Sequence, residues 1–278
     1  MKIFESVAEL RAALCGVRAG VVGFVPTMGA LHEGHISLVE CARAECSVVV
    51  VSIFVNPTQF NDKGDLKSYP RTPDVDCQML EAAGVDYVFM PTVEEIYPQE
   101  DNRCFDFGVL ESVMEGATRP GHFNGVAQVV SRLFDIVAPN KAYFGQKDFQ
   151  QVAIIHRLVE FLSLDVEIVE VPTFRGDDGL ALSSRNALLT PEHRAAAPAI
   201  YRALRAVKDK MSQLSPAECE AQATEQINAT GLLKVIYLEI VDSSTLCRVS
   251  EWSQSPSIQI CTAVQAAEVR LIDNLKLK

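Results

Sequence analysis

PTMGALHEGH, residues 26–35, follows the β-rich run at 21–25 and leads into an apolar helical pattern, and this strand–turn–helix order decides the fold class. Gly29 and Gly34 let the backbone turn and let a ligand approach it closely. A helix start adds N–H groups and a positive dipole end suited to phosphate. His32 and His35 are three apart, so in a helical stretch both imidazoles face one side. Two imidazoles beside a phosphate can stabilise the charge that develops on a leaving pyrophosphate. The same spacing also suits a pair of metal ligands or two surface side chains.

Outward from this turn, β-rich runs at 21–25, 48–54, 87–90, 142–144 and 166–169 alternate with helical patterns. Helices are predicted over 34–44, over 74–83 with Pro73 before it and Gly84 after it, over 124–137 and over 149–162. The pattern predicts an α/β fold, a Rossmann-like doubly wound parallel sheet of at least five strands. Ligands are expected beyond the strands' carboxyl ends. Near Pro172 the texture changes: residues 175–186 (RGDDGLALSSRN) are polar and glycine-containing, and Thr190-Pro191-Glu192 opens a helix. Helices over 191–211 and 216–229, then strands over 235–241, 258–263 and 269–272, predict a smaller C-terminal α+β domain. The expected domains are 1–175 and 176–278.

Bulk properties narrow the function. The chain has 278 residues, 48% of them hydrophobic, which is enough for a sizeable core. Its 25 basic and 36 acidic residues leave a net charge of −11, so no overall field draws in nucleic acid or an anionic membrane, and neither is an expected partner. Glu5 and Glu9 interrupt the opening MKIFESVAEL, which has no basic segment followed by an apolar one. The longest apolar run, SVVVVSIFV at 47–55, suits a buried strand and is too short to span a bilayer. A cytoplasmic protein is the expectation. Eight cysteines are scattered with no C-x-x-C pair, so reduced and mostly buried thiols are expected, with no disulfide framework or zinc site.

The HEGH at the head of the first crossover helix resembles the H-x-G-H signature of the nucleotidyltransferase superfamily, shared with class I aminoacyl-tRNA synthetases. The wider string resembles the pantothenate synthetase family: PTMGALHEGH, FVNPTQF (54–60), RPGHFNGV (119–126), FGQKDFQQ (144–151), DGLALSSRN (178–186) and RLIDN (270–274) occur in order across nearly the whole chain. The resemblance implies an ATP-dependent ligase that condenses pantoate with β-alanine through a pantoyl adenylate, giving pantothenate, AMP and pyrophosphate. It also implies Mg2+ accompanying ATP, and a homodimer.

It places ATP against Met28, Gly29, Ala30, Leu31, His32, Glu33, Gly34 and His35. It adds Gly145, Gln146, Lys147 and Asp148, the backbone near Phe174, and Leu182, Ser183, Ser184 and Arg185. The catalytic residues it implies are His32, His35, Lys147 and Arg185. Gln59 is placed at pantoate and β-alanine, and Gln151 at pantoate; no side chain is assigned to a metal. The chemistry agrees with these residue types. A carboxylic acid with a pKa of about 4 is already ionised at neutral pH, so adenylation needs positioning and charge neutralisation more than a base.

Asp148, an anion, is expected by the ribose or as a partner of Lys147. Phe54, Val129 and Val130 could pack on the gem-dimethyl carbon of pantoate and would equally pass as core. Asn56 reads as a ligand contact or as a turn residue. His122 falls in a loop-like segment near the site, His156 and His193 read as structural or surface residues, Tyr69 and Arg71 could gate the pocket, and Glu94 and Glu95 read as a solvated helix face. Gln146 stands where related sequences often carry Glu. The closing AAEVRLIDN, residues 266–274, departs from a glycine-containing form, in the small domain and away from the nucleotide residues. Residues 175–186 with the small domain form a candidate lid. Two rivals are a nucleotidyltransferase that hands AMP or CMP to a phosphorylated alcohol, and a nucleotide-binding regulatory module without turnover.

Overall fold

The computed structural model describes residues 1–17, 19–61 and 63–278. The chain forms two compact units. The first comprises Met1–Phe107, Arg119–Gln146 and Gln151–Pro172; the second comprises Gly108–Thr118, Lys147–Gln150 and Thr173–Lys278.

In the first unit, β1 (Lys2–Phe4), β2 (Val22–Thr27), β3 (Val48–Ile53), β4 (Tyr87–Phe89), β5 (Lys141–Gly145) and β6 (Glu167–Val171) form one sheet in the order β1-β4-β3-β2-β5-β6. All of its pairings are parallel. Helices cover such a sheet on both faces, so its inner strands are apolar almost throughout; β2 and β3 are buried at nearly every residue. The chain runs outward from β2 through β3 to β4, then returns to place β5 on the other side of β2. The direction of winding therefore switches between β2 and β5, where crevices at the strands' carboxyl ends accept ligands.

Helices Glu33–Glu45, Pro73–Ala82, His122–Val137 and Phe149–Leu162 make the crossovers. On one face Val25, Val39, Val49, Val51, Leu80, Val88 and Tyr143 share a core. Burial of each large side chain contributes about 1.5–3 kcal/mol.

The sixth strand lies outside the sequence expectation. β1 is only three residues long, too short for periodicity to show, and it joins the sheet edge against β4. The helix after it, Val7–Cys15, begins where Ser6 Oγ accepts the Glu9 N–H at 3.3 Å.

The second unit holds an antiparallel sheet, β7 (Leu233–Asp242), β8 (Ile258–Ala266) and β9 (Val269–Lys276), in that order. Helices Ala199–Lys210 and Pro216–Asn228 supply Ile200, Leu204 and Ile227 to a core completed by Ile240, Ile260 and Leu271. The single helix expected over 191–211 is two, Pro191–Ala196 and Ala199–Lys210. Pro198 lies at the break, because it has no N–H to continue the ladder and restricts the residue before it. The expectation of mostly buried thiols is also corrected. Cys46, Cys219 and Cys261 are buried, Cys41 and Cys77 half-buried, and Cys15, Cys104 and Cys247 exposed, all of them free. Burial raises the thiol pKa of Cys41, Cys77, Cys219 and Cys261, which keeps them protonated.

Candidate active site

β2 ends at Thr27, and the turn that follows runs through two successive left-handed residues, Gly29 at φ +78° and Ala30 at φ +50°. For alanine this conformation costs about 1–2 kcal/mol, so its surroundings must hold it there. Asp76 does so. Its carboxylate, 1% exposed, accepts the Ala30 N–H at 2.9 Å, the Leu31 N–H at 2.8 Å and the Thr72 hydroxyl at 3.0 Å. A Cβ at Gly29 would stand 3.0 Å from both that carboxylate and Ile53 Cγ2, tighter than ordinary packing, and the positive φ would strain any side chain there.

The next residue is not yet helical. His32 is the N-cap of helix Glu33–Glu45, with φ −146° and ψ 174°. The histidines do meet, but through a reciprocal cap and not through helical stacking. His32 Nδ1 accepts the Gly34 N–H at 3.1 Å, and His35 Nδ1 accepts the His32 N–H at 3.3 Å, with ring centroids 4.1 Å apart. An Nδ1 that accepts carries no proton. Each ring is therefore held as the neutral tautomer with its proton on Nε2, a donor. Glu33 is exposed and Met28 half-buried.

Met28 meets the turn after β3. Gln59, 8% exposed, donates from Nε2 to Met28 Sδ at 3.0 Å, and its Oε1 accepts from Asn56 Nδ2 at 3.2 Å. Asn56, 1% exposed, also donates to the Gly125 carbonyl at 3.1 Å and accepts from the Tyr97 hydroxyl at 2.9 Å. Burial pushes the Tyr97 hydroxyl pKa up, which keeps it a donor. Asn56 thus caps the turn Pro57–Gln59 and orders Gln59 as well.

His122, expected in a loop, is the buried first residue of helix His122–Val137. Its Nδ1 donates to the Gln59 carbonyl at 2.8 Å and its Nε2 lies 3.1 Å from Arg119 Nη1, so it is the opposite tautomer from His32 and His35. Gly125 fits because the Thr58 carbonyl oxygen would lie 2.4 Å from any Cβ there. Phe54, Val129 and Val130 are buried, as is Tyr69, whose carbonyl accepts from Arg71 Nη1 at 3.1 Å. Gly145 ends β5 beside Val171, Gln146 donates to Glu170 Oε2 at 3.3 Å, and Gln151 is half-buried on helix Phe149–Leu162.

Three readings of single residues are refined. His156 pairs with Glu170 at 3.1 Å, His193 lies 2.8 Å from the Thr190 hydroxyl, and Glu95 accepts the Val7 N–H at 2.8 Å, so it is not merely solvated.

The second unit carries the remaining residues. Lys147 and Asp148 form a pair at 3.7 Å, the second of the two placements expected for Asp148. Ser183 accepts the Arg185 N–H at 3.3 Å and caps the short turn Ser184–Leu188; Ser184 and Arg185 are half-buried. Phe174 is 40% exposed, and its carbonyl accepts the Leu182 N–H at 3.0 Å. Lys147, Ala181, Ser183, Asn186 and Asp273 line one cavity. Asn186 Oδ1 is buried with no hydrogen-bond partner among the described residues, an acceptor left open beside it.

Sequence reading missed Asp76, Asp273 and Asn274. The first is signalled only as the second acid in the TPDVD helix start, and the others as a polar pair inside an apolar strand. The closing strand also reaches the lysine loop, against expectation: Asn274 Nδ2 donates to the Lys147 carbonyl at 2.8 Å.

Comparison with known proteins decides among the rivals. The family model of pantoate-beta-alanine ligase matches residues 2–276. The chain belongs to the pantoate-beta-alanine ligase family. Pantothenate synthetase of Porphyromonas gingivalis is 53% identical over 278 residues, covering 99% of each chain. The crystal structure of pantothenate synthetase from Thermus thermophilus is 49% identical, covers 100% of this chain and 99% of its own, and has a TM-score of 0.94. A pantoate-beta-alanine ligase from Francisella tularensis, crystallised with beta-gamma ATP and beta-alanine, is 38% identical, covers 100% and 98%, and has a TM-score of 0.86. The protein is a ligase that forms pantothenate from pantoate and β-alanine.

Proposed function

We propose that the ligase works through a pantoyl adenylate and that His32, His35, Lys147 and Arg185 are the groups that promote it. The pantoate carboxylate attacks the α-phosphorus of ATP, pyrophosphate leaves, and the unprotonated amine of β-alanine attacks the adenylate carbonyl as AMP departs. The observation that carries the reading is the reciprocal cap, which aims two neutral Nε2–H donors from the turn after β2, at the switch point of the sheet. The Francisella tularensis relative, crystallised with beta-gamma ATP and beta-alanine, supports ATP as the nucleotide.

In this proposal ATP is bound by Met28, Gly29, Ala30, Leu31, Glu33 and Gly34 with the two histidines, by Gly145, Gln146, Lys147 and Asp148, and by Phe174, Leu182, Ser183, Ser184 and Arg185. Lys147 and Arg185 offset phosphate charge, and the two serine hydroxyls donate to phosphate oxygens. Gln59 hydrogen-bonds pantoate and β-alanine, and Gln151 pantoate. Among the described residues no group of three or more His, Cys, Asp or Glu side chains is placed to hold a metal ion. In this proposal Mg2+ accompanies ATP as part of the substrate, MgATP, and phosphates and water hold it.

The proposed division of labour is 1–175 for ATP and pantoate and 176–278 as the lid that excludes water from the mixed anhydride. No helix among the described residues is long and apolar enough to cross a membrane, which is compatible with the proposed cytoplasmic location. The proposed assembly is a homodimer.

Pyrophosphate release with pantoate and ATP alone, followed by amide formation only on adding β-alanine, is the expected behaviour. Release that requires β-alanine would refute the adenylate. His35→Ala should lower kcat/KM well beyond threefold; a smaller loss, under about 1 kcal/mol of transition-state stabilisation, removes His35 from the chemistry.

A further inference from the structure

Asp273 and Asn274 are adjacent on β9 and only 4% and 5% exposed. Successive strand residues point to opposite faces, and two buried polar neighbours need separate partners. Asp273 takes both guanidinium nitrogens of Arg175, at 2.7 and 2.8 Å, and the Asn274 N–H at 2.7 Å. Arg175 also donates to the Asn274 carbonyl at 3.1 Å and lies 3.9 Å over the ring of Tyr201. Asn274 Nδ2 donates to the Lys147 carbonyl, while its Oδ1 accepts from Gln259 Nε2 at 2.7 Å, which fixes the way the amide faces.

Arg175 in turn opens the segment that carries Ser183 and Arg185. That segment closes on itself through the Arg175–Ala181 bridge and the Gly176 N–H bond to the Leu180 carbonyl at 3.0 Å. Two consecutive residues of one strand thus hold the lysine loop and the serine–arginine loop, and Lys147, Ser183 and Asp273 line the same cavity.

We infer that Asn274 is a positioning residue for Lys147, with Asp273 doing the same for the serine–arginine loop through Arg175, so that β9 sets the spacing of the groups that meet the triphosphate. The inference rests on the reading in which Lys147 serves adenylation.

The test is single-turnover, pantoate-dependent pyrophosphate release by wild type, Asn274→Ala, Lys147→Ala and the double variant, with β-alanine capture of preformed adenylate as the second readout. Asn274→Ala should slow adenylation roughly tenfold, as loss of alignment does, and leave β-alanine capture unchanged. In the Lys147→Ala background the same substitution should add less than about twofold, since the two act as one unit. An equal slowing in both backgrounds, or of both half-reactions, would mark a merely structural role and overturn the inference. A normal Asn274→Ala beside a slow Lys147→Ala overturns it alone; a normal Lys147→Ala overturns the role of Lys147 and the inference with it. Should Asn274→Ala fail to fold, Asn274→Asp keeps the size, turns a carboxylate oxygen toward the Lys147 carbonyl, and is read by the same criteria.

Discussion

Asp76→Asn removes one negative charge and almost no volume, which makes it the sharpest probe of how the histidine turn is held. The carboxylate accepts two backbone N–H groups and one hydroxyl within 3.0 Å. Hydrogen bonds to a charged group contribute about 1.5–3 kcal/mol each, and a buried donor left unsatisfied costs about 1–3 kcal/mol. Asparagine retains one acceptor and must turn its own NH2 toward a second donor. Removing a buried charge recovers part of the loss, which leaves a net destabilisation of about 3 kcal/mol. For a chain of this length about 2 °C accompanies each kcal/mol, so the melting temperature should fall by roughly 6 °C.

The effect on rate should be larger than the effect on stability. Ala30 sits in a left-handed conformation that Asp76 holds, and relaxation of that turn displaces the reciprocal cap beside it. A shift of about 1 Å at a reacting group costs on the order of a hundredfold. Thermal unfolding followed by circular dichroism, together with kcat/KM for ATP at saturating pantoate and β-alanine, measures both. A melting temperature within about 1 °C of wild type and a kcat/KM within about threefold would show that the turn holds itself and that the carboxylate is incidental.

Gly125→Ala should push the Thr58 carbonyl and Gln59 aside and raise the KM for pantoate at least roughly tenfold while changing that for ATP little; equal changes in both would detach this packing from substrate choice. Asp101 gives a pH signature. The hydrogen bond from Arg103, joined by one from Arg132, holds its carboxyl well below the usual carboxylate range against the opposing effect of burial. A depressed folded-state pKa means stability that is present above the unfolded value, about 3.9, and lost as pH falls below it toward the folded value. Asp101→Asn should therefore be less stable than wild type at pH 7, with the difference shrinking at pH 3 in urea titrations; a constant difference would contradict the linkage.

Much of the fold was legible because its signals are local. Four of the five expected strands in the first unit carry runs of β-branched or aromatic residues, and the crossover helix Phe149–Leu162 has the bounds that its periodicity predicts. The short edge strand β1 was not, since three residues carry no period, and neither was the break at Pro198, where apolar spacing continues across an interrupted backbone. In the candidate site the motif strings supply the side chains proposed for the chemistry but not their supports. Asp76 acts across 46 residues of chain on Ala30, and Asn274 across 127 on Lys147. Such pairings follow from the topology of the chain, and no local pattern announces them. The cap itself shows the same limit: the spacing of His32 and His35 correctly suggests that the rings meet, while the reason they meet lies in the extended backbone of His32.

That cap also sets a property of the proposed leaving-group site. Because each Nδ1 is occupied by a backbone amide, the orientation of each ring, and with it the direction of each Nε2–H, is set by the helix entrance itself. In the proposed reaction the rings would then offer directed donors without net charge. Uncharged donors grip a polyanionic product less firmly than two cations would, and the architecture that aligns the histidines would thereby favour letting pyrophosphate go.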